Sequence, residues 1–356
     1  MQPTVYGFKL IVTCLVHATE QLRQGKTMKI PKKFRPLVII QCWLALMIGW
    51  TAATSLDAHE GHPSGANHVI ANQMPPASNR VSIETTESHR IIRSNGIPNH
   101  GVGMFPNARN PHQIREQNYT FKLPLQPKLQ LKPTPLVRQP WGIAVNGVLF
   151  DPGTAEYWRG DRQGKWNYEA LSGKLNLGLD TNHAHVQPNG AYHYHGLPTA
   201  LWTSISMGKP GMHLLGWGAD GFPIYGPYAF SDPNDSKSPL RKMKSSYQIK
   251  TGLRTDGPGG RYDGTFTADY TYQSGSGDLD VCGGRLGVTP EFPDGTYYYV
   301  LTEDYPFIPR LFKGQPDPSF QRRMGGPGMR NGPPPGNNRG GRGPGFRGPR
   351  SPSRPR

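Results

Sequence analysis

Cysteine is almost missing from this sequence: there are three in 356 residues, and two of them, Cys14 and Cys42, fall within the first 55. That leaves Cys282 alone in the body, which excludes a disulfide scaffold and a zinc cluster built on thiolates. There is no Gly-Xaa-Ser-Xaa-Gly elbow, no phosphate-binding loop and no dinucleotide fingerprint, so no dinucleotide is expected as a partner. No histidine pair stands at helical spacing beside a glutamate, as a helix-borne zinc protease requires. Acid is missing from both ends. Residues 1–55 hold seven basic residues and one acid, Glu20, while residues 321–356 hold nine arginines and no acid. The stretch between them carries 24 basic and 23 acidic residues, so the formal net charge of +16 belongs to the two ends and the body is nearly neutral. A nucleic-acid reading, which a strongly basic chain invites, therefore concerns only the ends.

What is abundant is glycine and proline, 45 and 37 residues. They disfavour a helical bundle and favour a turn-rich, mainly β chain. We expect a single β-rich domain, sandwich or barrel-like, with paired hairpins and few short helices.

The N-terminal region has the layout of an export signal. Lys29, Lys32, Lys33 and Arg35 precede a 14-residue apolar run from Leu37 to Trp50, and small residues follow to Ser55. A basic stretch, a short apolar run and a small-residue exit predict a secretory signal peptide cleaved near Ser55. A retained membrane anchor is the alternative, since extending the run to Leu56 approaches a membrane span. Residues 1–27 read as an upstream extension, which makes 1–55 extension plus signal. The protein is then exported to the periplasm, cell surface or medium, and chromosomal nucleic acid is not expected as a partner. Residues 56–79 are polar and aperiodic, a linker. Residues 80–315 form the domain. Residues 316–356, rich in Gly, Pro and Arg, cannot bury enough apolar surface to fold and are expected to be disordered, available to anionic polymers.

Inside the domain, Val81, Ile83 and Thr85, and later Ile91 and Ile92, predict strands. Residues 119–123 (YTFKL) alternate at period two, as a half-buried strand does. Residues 141–150 (WGIAVNGVLF) predict a hairpin about Asn146-Gly147. The helix candidates are the neighbourhood of Glu156–Trp158 and residues 199–207.

The chemistry concentrates in residues 180–195 (DTNHAHVQPNGAYHYH), where four of the twelve histidines occur as two His-Xaa-His pairs. Period-two spacing puts both histidines of a pair on one strand face. Pro188-Asn189-Gly190 suits a three-residue hairpin loop, proline presetting the first turn position and glycine taking the left-handed third. Counting back from that loop, Gln187 faces Ala191, His185 faces His193 and His183 faces His195. All four imidazoles are then expected on one face, with Ala184, Val186, Tyr192 and Tyr194 turned to the core. Imidazole clusters suit zinc, copper, iron and nickel, so a divalent transition metal, copper or zinc, is the expected cofactor, with His183, His185, His193 and His195 as candidate ligands. A one-residue slip in register would part the two pairs. A partial repeat accompanies the segment: residues 188–195 align with residues 293–300 (PDGTYYYV). There the histidines become Tyr298 and Val300, with Val288 and Pro290 expected on the opposite strand. The second hairpin reads as scaffold without a ligand set.

Residues 191–195 (AYHYH) resemble the namesake motif of the YHYH domain family. The resemblance extends over residues 80–314 through residues 94–100 (SNGIPNH), 105–107 (FPN), 142–148 (GIAVNGV), 150–153 (FDPG), 182–185 (NHAH), 218–227 (GADGFPIYGP), Leu279-Asp280 with Cys282, and 305–309 (YPFIP). The family consists of exported proteins named for a motif, so the resemblance implies a domain assignment and no particular reaction. His100, in a turn-rich loop, and Asp220 are further candidates for the metal site, and Asp220 could also serve as a base. His213 reads as a hydrogen-bonded core residue, Asp278 and Asp280 as loop residues with some capacity for a cation, His59 and His62 as a weak metal pair in the linker, and Cys282 as a small buried residue. Three functions remain open: a metal-binding module, a metal-dependent hydrolase or oxidase at the same site, and a surface protein that adheres to anionic polymers through its tail.

Overall fold

The computed structural model describes residues 68–321 apart from Arg138. The expected signal sequence, His59, His62 and residues 322–356 of the arginine-rich tail lie outside the described residues, which all belong to one compact unit, Pro63–Arg356. Among the described residues no helix is long and apolar enough to cross a membrane.

The domain is mainly β, and its sheets do not close into a barrel. In chain order the strands are β1 (Val81–Thr85), β2 (His89–Ser94), β3 (Tyr119–Pro124), β4 (Thr134–Pro135), β5 (Gly142–Ala144), β6 (Leu149–Phe150), β7 (Ala184–Val186), β8 (Tyr192–Tyr194), β9 (Leu214–Gly218) and β10 (Pro223–Tyr225). They continue with β11 (Tyr228–Phe230), β12 (Leu240–Lys242), β13 (Tyr247–Ile249), β14 (Tyr270–Tyr272), β15 (Gly284–Gly287), β16 (Thr296–Val300) and β17 (Leu311–Phe312). The helix expected at 199–207 is present as α1 (Thr199–Ser206). The one expected near Glu156–Trp158 is only a short 3-10 turn, Trp158–Gly160, with Arg159 in the left-handed region.

Local sequence explains several of these elements. In β3, Phe121 and Leu123 are buried while Thr120 and Lys122 face out, the alternation that period two requires. The Asn146-Gly147 turn joins β5 to β6, with Gly147 at φ +80° and its N–H donating to the Ala144 carbonyl. Strands β1, β2 and β3 make a separate antiparallel sheet.

The main sheet has eight strands in the order β15-β16-β10-β9-β5-β6-β8-β7. That order is a palindrome about the central β5–β9 pair. β5 and β9 are antiparallel, and Gly142 opposite Gly218 and Ala144 opposite Gly216 flank Ile143 opposite Trp217. Outward from the centre, β5 pairs antiparallel with β6, β6 parallel with β8 and β8 antiparallel with β7. On the other side β9–β10, β10–β16 and β16–β15 repeat the same three senses. The two halves are thus related by a pseudo-dyad that exchanges Ile143 with Trp217 and the Asn146-Gly147 turn with the Asp220-Gly221 turn.

The partial repeat seen in the sequence is the outer part of this symmetry, with one correction. The partner of Tyr298 across the second hairpin is Arg285, and the Val300 N–H donates to the Gly283 carbonyl, so Gly283 and Arg285, not Val288 and Pro290, stand where His183 and His185 stand in the first. The connection in the second hairpin is longer, and counting back from its turn therefore lands on the wrong residues. Both hairpins are entered through the same aspartate turn. Asp180 donates its N–H to the Ala184 carbonyl at 2.8 Å and accepts the His183 N–H at 2.9 Å, while Asp280 donates to Gly284 and accepts from Gly283 at the same two distances. Each aspartate also accepts a buried tyrosine hydroxyl, Tyr192 on Asp180 and Tyr297 on Asp280.

The core runs under both halves. Trp141 is fully buried, edge-on to Tyr299 at 4.8 Å and stacked with Phe312. Trp141→Ala is expected to lower stability by about 3–5 kcal/mol, measured as a fall in the urea midpoint. A loss below about 1 kcal/mol would show that the centre of the sheet does not depend on this ring.

Candidate metal centre

The first hairpin forms in the register counted from its loop. His185 pairs with His193, Val186 with Tyr192 and Ala184 with Tyr194. The Gln187 N–H donates to the Ala191 carbonyl, and Gly190 takes φ +89°, which closes the three-residue loop. Ala184, Val186, Tyr192 and Tyr194 are buried in the main core, and the alternate residues point to the other face.

Three histidines meet there. The Nε2 of His195 lies 3.1 Å from the Nε2 of His185 and 3.0 Å from the Nε2 of His193. His193 and His195 are buried and His185 is half-buried. Among the described residues, His185, His193 and His195 are the group of His, Cys, Asp and Glu side chains close enough to share a metal ion. The His185 Nδ1 lies 3.0 Å from the Leu177 carbonyl and the His193 Nδ1 lies 3.2 Å from the Ala191 carbonyl. A ring nitrogen beside a carbonyl must be the protonated donor, so both Nε2 atoms present lone pairs toward His195. The Nδ1 of His195 is buried on the side of the Pro152 carbonyl, the backbone group that interacts with this ring. Its Nε2 can offer at most one proton to two acceptors, so the three nitrogens form a site short of positive charge.

Electrostatics keep two of the rings, His185 and His195, neutral. Burial, and then repulsion from His193, pushes the His185 imidazole down to about 3. Burial, followed by His185 and His193, holds His195 well below the ordinary value, with the Arg310 guanidinium adding to the effect. Arg310 is itself paired with the fully buried Glu169 at 2.5 Å. Neutral imidazole is the form that binds a metal.

The fourth histidine of the motif departs from the set. His195 donates its backbone N–H to the His183 carbonyl at 2.7 Å, so the two do face each other across the hairpin. His183 nevertheless adopts φ +55°, at the end of the aspartate turn, and its Nδ1 bonds the Leu197 carbonyl at 2.8 Å. The alternation of a strand fails there because the residue lies outside β7, and the ring leaves the face that the other three share.

His100 and Asp220 are also elsewhere. His100 sits behind β8, on the core side: its Nδ1–H donates to the Gly101 carbonyl, and its Nε2 accepts the Tyr194 hydroxyl at 2.7 Å. Burial lowers its pKa, and Asn182 and Asn146 tie the same network to the hairpin. Asp220 occupies the pseudo-dyad counterpart of Asn146, where its Oδ2 accepts the Tyr299 hydroxyl at 2.6 Å and the Gly314 N–H at 2.8 Å. Neither residue joins the three histidines.

His213 is half-buried, edge-on to Trp202. Asp278 forms a two-pronged pair with Arg241, Asp280 serves the second aspartate turn, and Cys282 is buried. The braces of the site were not read from the sequence: Asp180, the carbonyls of Leu177 and Ala191, and Asn182, whose Oδ1 accepts the Ala200 N–H at the start of α1. Asp180 and Asp280 each stand four residues before the first strand of their hairpin, a match that the longer second connection hides in the sequence. Backbone carbonyls leave no mark in a sequence.

The family model of the YHYH proteins matches residues 120–314, and the chain belongs to that family. No curated protein matches it. No solved structure matches it either.

The charge on Asp220 has a measurable cost. Burial raises its carboxyl from 3.8 to about 6, opposed by the Tyr299 hydroxyl and the Gly314 N–H. The folded state holds the proton more tightly than the unfolded chain, so this residue subtracts stability as pH rises from its ordinary pKa to the raised one, and the penalty is constant above. In Asp220→Asn, which installs the residue of the dyad-related turn, the stability gained over the parent is expected to grow across that window to about 3 kcal/mol. A difference independent of pH between 4 and 7 would show that Asp220 ionises normally.

Proposed function

We propose that this YHYH protein is an exported metal-binding module that holds one divalent copper or zinc ion through His185, His193 and His195. The observation that carries the reading is the convergence of the Nε2 atoms of His185, His193 and His195, two of them 3.1 and 3.0 Å from the third. A cation resolves that arrangement, and no apolar packing rewards it. Two of the three rings are oriented by carbonyls at their far nitrogens, the outer-sphere support that metal-bound imidazoles ordinarily have. The pseudo-dyad adds a comparison: the same scaffold carries Arg285, Tyr298 and Val300 at the equivalent positions, with Tyr298 and Val300 packed against Met212, Tyr225 and Met243. The hairpin therefore folds without histidines, which makes the triad an addition to it.

Export rests on the basic, apolar and small-residue succession of residues 28–55.

For the full chain loaded at 100 times its Kd, the metal should add about 2.7 kcal/mol to stability, and elemental analysis should find about one equivalent held by the triad. His193→Ala/His195→Ala should lose both effects, and His185→Ala, at the half-buried corner, should weaken binding at least ~100-fold. Unchanged uptake in these variants would end the proposal.

A second reading is catalytic. Three histidines leave a coordination position for water or dioxygen, as a metal-dependent hydrolase or oxidase needs. Azide should then perturb the visible and EPR spectra of the copper(II)-loaded protein; spectra unmoved by azide would restrict the site to binding. The nine arginines of residues 321–356 favour adhesion to anionic polymers. Deleting 322–356 should abolish retention on heparin at low salt, and retention that survives would locate the contact elsewhere.

A further inference from the structure

His183 is the one motif histidine that the triad does not use, and its backbone is in an unfavourable conformation. A side chain at φ +55° crowds its own backbone, so such positions default to glycine. The pseudo-dyad shows what the scaffold places there when nothing else is asked of the position: Gly283, at φ +73°. Strain of this kind that the fold does not require points to a function for the side chain.

The ring has a partner. His68 lies edge-on to His183, with centroids 5.4 Å apart and an interplanar angle of 79°. His68 is held there by its neighbour Val69, which donates its N–H to the Leu179 carbonyl and accepts the Thr181 N–H, bridging alongside Asp180. The His183 Nδ1–H donates to the Leu197 carbonyl, which leaves its Nε2 as a free donor atom. Burial and the neighbouring His183 keep the His68 ring in the neutral form.

We propose that His68 and His183 form a second metal site, separate from the triad, for a monovalent d10 ion such as copper(I). Two nitrogen donors complete the shell of an ion that favours two-fold coordination, whereas zinc or copper(II) needs more. With metal–nitrogen bonds of about 2 Å, two imidazoles bridged by one ion have centroids about 6 Å apart, against 5.4 Å between the two rings here. The reading does not depend on the triad.

Silver(I), a closed-shell stand-in for copper(I), provides the test by equilibrium dialysis of the full chain, with circular dichroism as the fold control. His68→Ala and His183→Gly should each lose one equivalent, and the same one, so that the double variant loses no more. His183→Gly should fold at least as well as the parent without metal, because glycine relieves the strain; if it does not fold, His68→Ala decides alone. His185→Ala should leave this equivalent in place. If His68→Ala keeps the full chain's uptake, or a folded His183→Gly does, the pair is overturned. It is also overturned if His183→Gly/His185→Ala loses no more silver than His185→Ala, since that would make the two sites one. Loss in the pair variants with no effect of His185→Ala would uphold the pair and show that the triad does not take silver(I).

Discussion

The alternation of side chains along β8 is the constraint on which the rest of this structure depends. Tyr192 and Tyr194 enter the core, while His193 and His195 leave on the other side, so one three-residue strand both anchors the hairpin and presents the donors. The anchoring is specific. The Tyr192 hydroxyl ends on Asp180 and the Tyr194 hydroxyl lies between His100 and Asn146, so a slip by one residue would strand four buried polar groups as well as invert the faces. Asp180 contributes twice, since it receives Tyr192 and also folds the turn from which β7 begins. The histidines are placed by the buried, hydrogen-bonded tyrosines that alternate with them.

The pseudo-dyad separates scaffold from elaboration. What both halves retain is the aspartate turn, the buried tyrosines and the turn between the inner strands, Asn146-Gly147 in one half and Asp220-Gly221 in the other. What they do not retain is the outward face: three histidines and an Arg–Glu pair bear on one side, and a small apolar cluster fills the other. Burying Tyr298 and Val300 against methionine and tyrosine stabilises the second half by the hydrophobic effect. Burying His193 and His195 brings no such return, because an imidazole ring is polar and gains little by leaving water. The same exchange of Asn146 for Asp220 leaves a buried carboxyl in the second half, where amide chemistry serves the first.

Much of this was legible in the residues themselves. The period-two pattern of the YHYH segment and the Pro188-Asn189-Gly190 loop determined the register and placed His185 opposite His193, because turn chemistry and strand alternation are local properties. The mainly β class followed from glycine, proline and the short alternating runs. The departure of His183 was not legible, since a left-handed turn set by Asp180 carries the ring away just before the strand begins. The removal of His100 and Asp220 from the site was not legible either: each is placed by a partner far along the chain, Tyr194 and Tyr299. Nor could the length of the second connection be counted, which put Val288 and Pro290 where Gly283 and Arg285 belong. The sequence by itself determined which residues alternate and where the chain turns. Tertiary structure alone decided which three imidazoles converge, because convergence depends on carbonyls and buried partners brought from distant segments.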